Sequence, residues 1–169
     1  MPRRFCHFPR DRRASTAVEF ALVSVLFLLP LLLASADFVA IISAQAQMNT
    51  ALQALYYFAV TTTGDATNAT EAGNVISAIN SAGTQFQVTM PANLPSGAAN
   101  PSYTYVCYTY TAGSAPTFST PSTSNTCSGT QTAMYFANYE VTTKIVLPFP
   151  IPGVKSPLTL IAQGSVQTQ

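Results

Sequence analysis

Charge is what this chain has least of. Asp, Glu, Lys and Arg make up 8% of its 169 residues, against 48% hydrophobic, whereas about a quarter of an ordinary soluble domain is charged. Histidine occurs once, at His7. No histidine remains further along to act as general base, and no Gly-x-Ser-x-Gly elbow accompanies the many serines, so no catalytic residue is assigned and an enzyme is not expected. Glu71 and Glu140 are in principle open to an acid–base pairing, and isolated surface carboxylates are the commoner state. Three cysteines without metal-ligand spacing point to neither a metal nor a cofactor.

The charge that does occur is segregated. Five arginines (Arg3, Arg4, Arg10, Arg12, Arg13) and Asp11 precede residue 15. Beyond it stand two lysines (Lys144, Lys155) and five acids (Glu19, Asp37, Asp65, Glu71, Glu140), net −3. This asymmetry keeps the basic end cytoplasmic and sends the rest across a membrane. With no second basic patch, the arginines do not make a nucleic-acid surface, and no nucleic-acid partner is expected. Cys6 then stays on the cytoplasmic side as a free thiol. Cys107 and Cys127 are exported together and fit one disulfide. Closing a loop of about 20 residues stabilises a fold by about 3 kcal/mol in the chain-entropy model.

The membrane segment follows a basic leader, 1–14. Residues 20–36 carry no charge, and Glu19 and Asp37 bracket them. The two acids are about 27 Å apart on a helix axis, near the thickness of a hydrocarbon core of about 30 Å. Alternatively, the span runs on through Phe38-Val39-Ala40-Ile41-Ile42 and takes Asp37 inside the membrane edge, as either an interface anchor or a functional membrane acid. Pro30 is expected to kink the helix and free a carbonyl near Leu26. Phe38, Ile41, Met48, Leu52, Leu55 and Ala59 then recur at helical spacing, so the helix continues outside the membrane. Ala36, Ala40 and Ala44 form a small-residue row suited to close helix approach, or reflect no more than alanine's frequency in helices. Gly64-Asp65 ends this helix, and a shorter one follows over 71–81.

Thr, Tyr, Val and Ile then dominate 85–90, 103–110, 134–147 and 158–167, the pattern of strands. Tyr139, Val141, Ile145 and Leu147 alternate with Asn138, Glu140, Thr142 and Lys144. Leu158, Leu160, Ala162 and Val166 alternate likewise, so the last two strands are expected to pair antiparallel across the loop 148–157. Tyr103, Tyr105, Tyr108 and Tyr110 are read as filling a sheet face, with glycan or surface binding as the alternative. The segments 91–102 and 111–133 are expected as loops. Asn68-Ala69-Thr70 matches a glycosylation sequon, a pattern short enough to arise by chance.

The expected fold is therefore α+β. A long N-terminal transmembrane helix leads into a small exported head with a second helix and an antiparallel sheet of about four strands. The chain divides into the cytoplasmic leader 1–14, the transmembrane helix 15–44, its extramembrane extension 45–63 and the exported head 64–169.

The junction Arg12-Arg13-Ala14-Ser15-Thr16-Ala17-Val18-Glu19-Phe20-Ala21-Leu22-Val23, with its apolar helix and polar extension, resembles the TadE-like pseudopilins of the tight-adherence (Flp) pilus system. So does the C-terminal pattern of 139–149 followed by 158–166. The resemblance covers about a third of the chain and does not reach 61–133. It implies cleavage by a membrane prepilin peptidase between Ala14 and Ser15, so that Glu19 becomes the fifth mature residue, followed by Phe20. It also implies a minor pilin or assembly factor whose partners are the major pilin, other pseudopilins, the pilus platform membrane proteins and the lipid bilayer. In a bacterium this places the chain in the inner membrane, head outward. A role for Glu19 follows from physics. An ionised carboxylate in hydrocarbon costs several kcal/mol, roughly, unless paired. The new α-amine of Ser15 lies four residues away on the same helix face, or on a neighbouring subunit.

Two other fates remain open. Arg12-Arg13, the apolar core 20–33 and Ala34-Ser35-Ala36 also read as a secretory signal peptide, with release before Asp37 as an exported surface-binding domain. An uncut signal anchor is the third.

Overall fold

The computed structural model of the protein describes residues 12–62, 66–83, 85–124, 127–149 and 155–168, with side chains from Thr16 onward. The leader 1–11, with Cys6 and His7, lies outside the described residues, as does the expected helix stop at Gly64-Asp65. One helical column begins as α1 (Arg12–Val23), widens into a π-helical turn (Ser24–Leu28) and continues as α2 (Leu29–Thr61). Pro30 accounts for the wide turn. It has no N–H to donate, and its ring crowds the carbonyl of Leu26. The Leu29 N–H reaches back five residues to the Ser24 carbonyl, and the column passes the proline without ending.

The second helix, α3 (Ala69–Ser81), starts where the Asn68 side chain accepts from the N–H groups of Thr70 (3.0 Å) and Glu71 (3.3 Å). This N-cap gives the sequon asparagine a structural use. The helix ends against the sheet through Asn80, whose amide receives the Val88 N–H (3.0 Å) and donates to the Val88 carbonyl (2.8 Å).

Five strands form one antiparallel sheet: β1 (Val88–Thr89), β2 (Ser102–Thr109), β3 (Thr117–Phe118), β4 (Thr132–Ile145) and β5 (Leu158–Thr168). β4 is its axis. β5 pairs along one side from Tyr135↔Thr168 to Ile145↔Leu158, as the alternation of the two segments requires. The other side of β4 is shared by β2, from Ser102↔Asn138 to Tyr108↔Thr132, and by β1, at Thr89↔Thr142 and Val88↔Thr143. Asn100 fills the gap between them. Its Nδ2 donates to the Glu140 carbonyl (2.9 Å) and its Oδ1 accepts from the Glu140 N–H (3.1 Å), in the manner of a strand residue.

The sheet has one strand more than about four because β3 lies within 111–133, a segment expected as loop. The chain there folds back on β2. Ser119 N–H donates to the Cys107 carbonyl (2.8 Å), and Ser122 exchanges both backbone bonds with Tyr105 (2.7 and 2.9 Å). Two residues of strand are too few to show a period.

The core lies between α2 and the sheet. Ala44, Met48, Ala51, Leu52, Leu55 and Ala59 of α2 are buried, as are Ala137, Tyr139, Val141 and Ile145 of β4. Ala72 and Ile76 of α3 and Val88 of β1 complete it. Tyr139 donates its hydroxyl to the Ala66 carbonyl (2.5 Å). Burial, and secondarily Tyr103, pushes its pKa well above the ordinary tyrosine range, so it serves as a neutral donor. Opposite Tyr139 in the ladder stands Gly164. A Cβ there would fall on the Tyr56 hydroxyl, so the glycine admits the helix side chain onto the sheet.

Candidate functional site

One helix near the N-terminus, Thr16–Thr61, is long and apolar enough to cross a membrane. Its two halves have different surroundings. Over 16–36 no residue is buried, and Val18, Phe20, Leu26, Phe27 and Leu31 stand exposed around its circumference. That length is about 30 Å at ~1.5 Å per residue, the thickness of a hydrocarbon core. From Asp37 the head covers one face, at positions 37, 44, 48, 51, 52, 55 and 59. The uncovered face stays apolar at Phe38, Val39 and Ile42, then turns polar at Gln45, Asn49 and Gln53. A column bare and apolar for one bilayer thickness, then amphipathic, defines the class: an α+β head built on the continuation of a helix of membrane-spanning length.

Asp37 sits at the change. It is 1% exposed. Its Oδ1 accepts from the backbone N–H of Phe149 (3.2 Å), and its Oδ2 is buried with no hydrogen-bond partner among the described residues. The carboxylate therefore ties the loop after β4 to the helix, a contact across 112 positions that sequence spacing does not reveal.

The small-residue row divides. Ala36 is exposed, Ala40 is half-buried, and Ala44 is buried with Ile145 and Leu147 of the same chain. Where the row is covered, it lets the head's own sheet approach the helix. At the other end, Glu19 and Phe20 are exposed on α1. The backbone of Ala14 and Ser15 lies in the same helix, but their side chains lie outside the described residues.

Cys107 and Cys127 are joined as a disulfide, with Cα atoms 5.4 Å apart. The tyrosines split between faces. Tyr103 and Tyr105 meet Tyr135, with ring centroids 6.5 and 5.3 Å from it. Tyr108 packs beside Phe118, and Tyr110 is exposed beyond the end of β2. Glu71 and Glu140 do not form a pair. Glu71 is exposed in the first turn of α3. Glu140 is buried on the sheet face away from α2, where it accepts from Gln163 Nε2 (2.6 Å). Glu140 alternates with the outward-facing residues as expected, and the Asn100 and Gln163 contacts cover it.

That outer face carries an open cleft of about 430 Å³ among Ser102, Thr104, Asn138, Gln163 and Ser165. Among the described residues its lining holds no charged side chain. Among the described residues no three His, Cys, Asp or Glu side chains gather where a metal would bind. The amides of Asn80, Asn100 and Gln47, the last receiving the Phe86 N–H at 3.0 Å, hold backbone that lacks a strand partner. Nothing in their sequence context marked them.

No protein-family model matches the chain, and neither a curated protein nor a solved structure matches it.

Proposed function

We propose that this chain is a membrane-anchored, pilin-like subunit: a minor pilin or assembly factor of a tight-adherence pilus, processed between Ala14 and Ser15 by a prepilin peptidase. The observation that carries the proposal is the division of labour along one helix. Residues 16–36 contribute nothing to the head's core, and residues from Asp37 onward are its spine. A bare apolar helix of this length suits a bilayer or a bundle of like helices, and its rigid continuation into the core transmits helix position directly to the head. The resemblance of the Arg12–Val23 junction supplies the particular assembly. Glu19, exposed at the membrane-entry end of this helix, then meets the α-amine of a processed neighbour, which lowers the cost of its burial and sets the axial register. The partners are the prepilin peptidase, the major pilin and other pseudopilins, the platform membrane proteins and the inner-membrane bilayer.

N-terminal sequencing of the membrane-associated protein, from cells with and without their prepilin peptidase, tests this. A start at Ser15 that disappears without the peptidase is expected, and Glu19→Leu should abolish piliation. Intact piliation in the Glu19→Leu strain would remove the main support for a pilin.

One observation favours a second reading. Burial of the helix begins at Asp37, so cleavage after Ala36 leaves the head's spine whole and releases an exported surface-binding domain. The exposed Phe38, Val39 and Ile42 weigh against it, and a mature start at Asp37 would establish it.

A further inference from the structure

The head turns an apolar base toward the bare half of the helix. Two side chains of the segment after β4 stand out from the head: Val146, 74% exposed, and Phe149, 39% exposed. The bond from Phe149 N–H to Asp37 Oδ1 holds this segment at the level where the helix loses its cover. At that level the free face of the helix shows Phe38, Val39 and Ile42. Loop and helix thus present exposed apolar groups at one height, where a surface loop in water would be polar.

Charge placement points the same way. The chain's two lysines, Lys144 and Lys155, flank this segment and are both exposed. In sequence, the ten positions between them, 145–154, carry no side chain that can hydrogen-bond. Glu140, the nearest acid on the strand face of Lys144, is turned into a bond with Gln163, and Asp37 is buried under the loop. The lysines are left as the cations of the base.

We propose, on the membrane-anchored reading above, that Val146 and Phe149, with Phe38, Val39 and Ile42, form a second membrane contact that dips into the headgroup–acyl boundary, with Lys144 and Lys155 against anionic phospholipid headgroups. Apolar groups gain by leaving water at this boundary, and flanking cations are drawn to an anionic leaflet surface. Two contacts, the span and the base, fix the tilt and rotation of the head over the bilayer, which a single helix leaves free.

The chain contains no tryptophan, so single-tryptophan variants report cleanly. Full-length Val146→Trp, Phe149→Trp, Leu26→Trp and Phe118→Trp are reconstituted in phosphatidylcholine vesicles, with and without phosphatidylglycerol and with acyl-brominated lipid as quencher. Leu26 marks the span. Phe118 pairs at the end of β2 nearest Thr132, the opposite end of β4 from Ile145. The expected result is loss of fluorescence and blue-shifted emission for Val146→Trp and Phe149→Trp, as for Leu26→Trp, with Phe118→Trp unaffected. Phosphatidylglycerol should deepen that loss, and Lys144→Gln with Lys155→Gln should cancel the deepening. Quenching of Leu26→Trp alone overturns the lipid-dipping base and leaves the anchor standing. Blue-shifted but unquenched emission at Val146→Trp and Phe149→Trp also overturns it, because protein then covers the base. If Leu26→Trp is unquenched, the anchor reading falls and takes the base with it. Should Phe149→Trp fail to fold, Val146→Trp, at the more exposed position, decides the outcome.

Discussion

A buried carboxylate has to be accounted for by what it holds. Asp37 spends one oxygen on the Phe149 N–H and leaves the other without a partner among the described residues. It is not the best-satisfied group at that site, yet removing it strands a partly buried backbone donor. An unpaired donor of this kind costs about 1–3 kcal/mol. Asp37→Ala is therefore expected to lower the stability of the full chain in micelles by about that amount in urea titration, while Asp37→Asn keeps an acceptor and loses less. Equal losses would mean that the bond to Phe149 contributes nothing. Gly164 makes the complementary case, a position defined by what must be absent. Gly164→Ala drives a methyl into the Tyr56 hydroxyl, and overpacking of this kind costs about 1–3 kcal/mol. In a Tyr56→Ala background the same substitution should cost markedly less. A double-mutant cycle reads the difference as coupling, and simple additivity would show that the two residues do not meet.

At the scale of elements, period decides what could be read in advance. The alternation in 138–147 and 158–166 identified two antiparallel partners, and the ladder from Tyr135↔Thr168 to Ile145↔Leu158 follows that alternation. Of the residues at helical spacing, Met48, Leu52, Leu55 and Ala59 are buried, whereas Ile41 is half-buried and Phe38 is exposed. Of the two strands only two residues long, β1 lies inside the expected strand 85–90, whereas β3 was not legible. β3 is held by Ser119 and Ser122 and not by its own pattern. The join between β1 and β2 is made by the side chain of Asn100, which reads in sequence as one more polar loop residue. The site divides likewise. Glu19 and Asp37 stood out as acids beside an apolar run, but the partner of Asp37 is a backbone group distant in sequence. The Cys107–Cys127 pair was legible by elimination, and it ties the segment containing β3 to β2. Replacing both cysteines by serine should lower stability by about 3 kcal/mol on the chain-entropy model. The loss should show as a lower urea midpoint, with the native chain migrating differently on gels with and without reductant. Identical mobility, with Cys107 and Cys127 both titrating as free thiols in the native chain, would rule the bridge out.

At the scale of the whole molecule, the two halves of the long helix make separable claims. The core contacts of the head begin at Asp37, and no residue of 16–36 is buried. Apolar area that stays exposed adds nothing to folding, since the stabilisation of about 25 cal/mol per Å² requires removal from water. A fragment of residues 37–169 is therefore expected to fold on its own, with the disulfide formed and one cooperative thermal transition. Its stability in the same detergent should lie within about 1 kcal/mol of the full chain, the ordinary spread for changes away from a core. In water without detergent it should self-associate through Phe38, Val39 and Ile42, which are left exposed on the free face of a helix whose other face is used. Serine at those three positions should return it to a monomer by sedimentation without shifting the transition, because none of the three is buried. A fragment that melts without cooperativity would mean that the bare half of the helix helps to hold the head together. The column would then be one folding unit, and the division at Asp37 would mark where its cover begins without marking a boundary of stability.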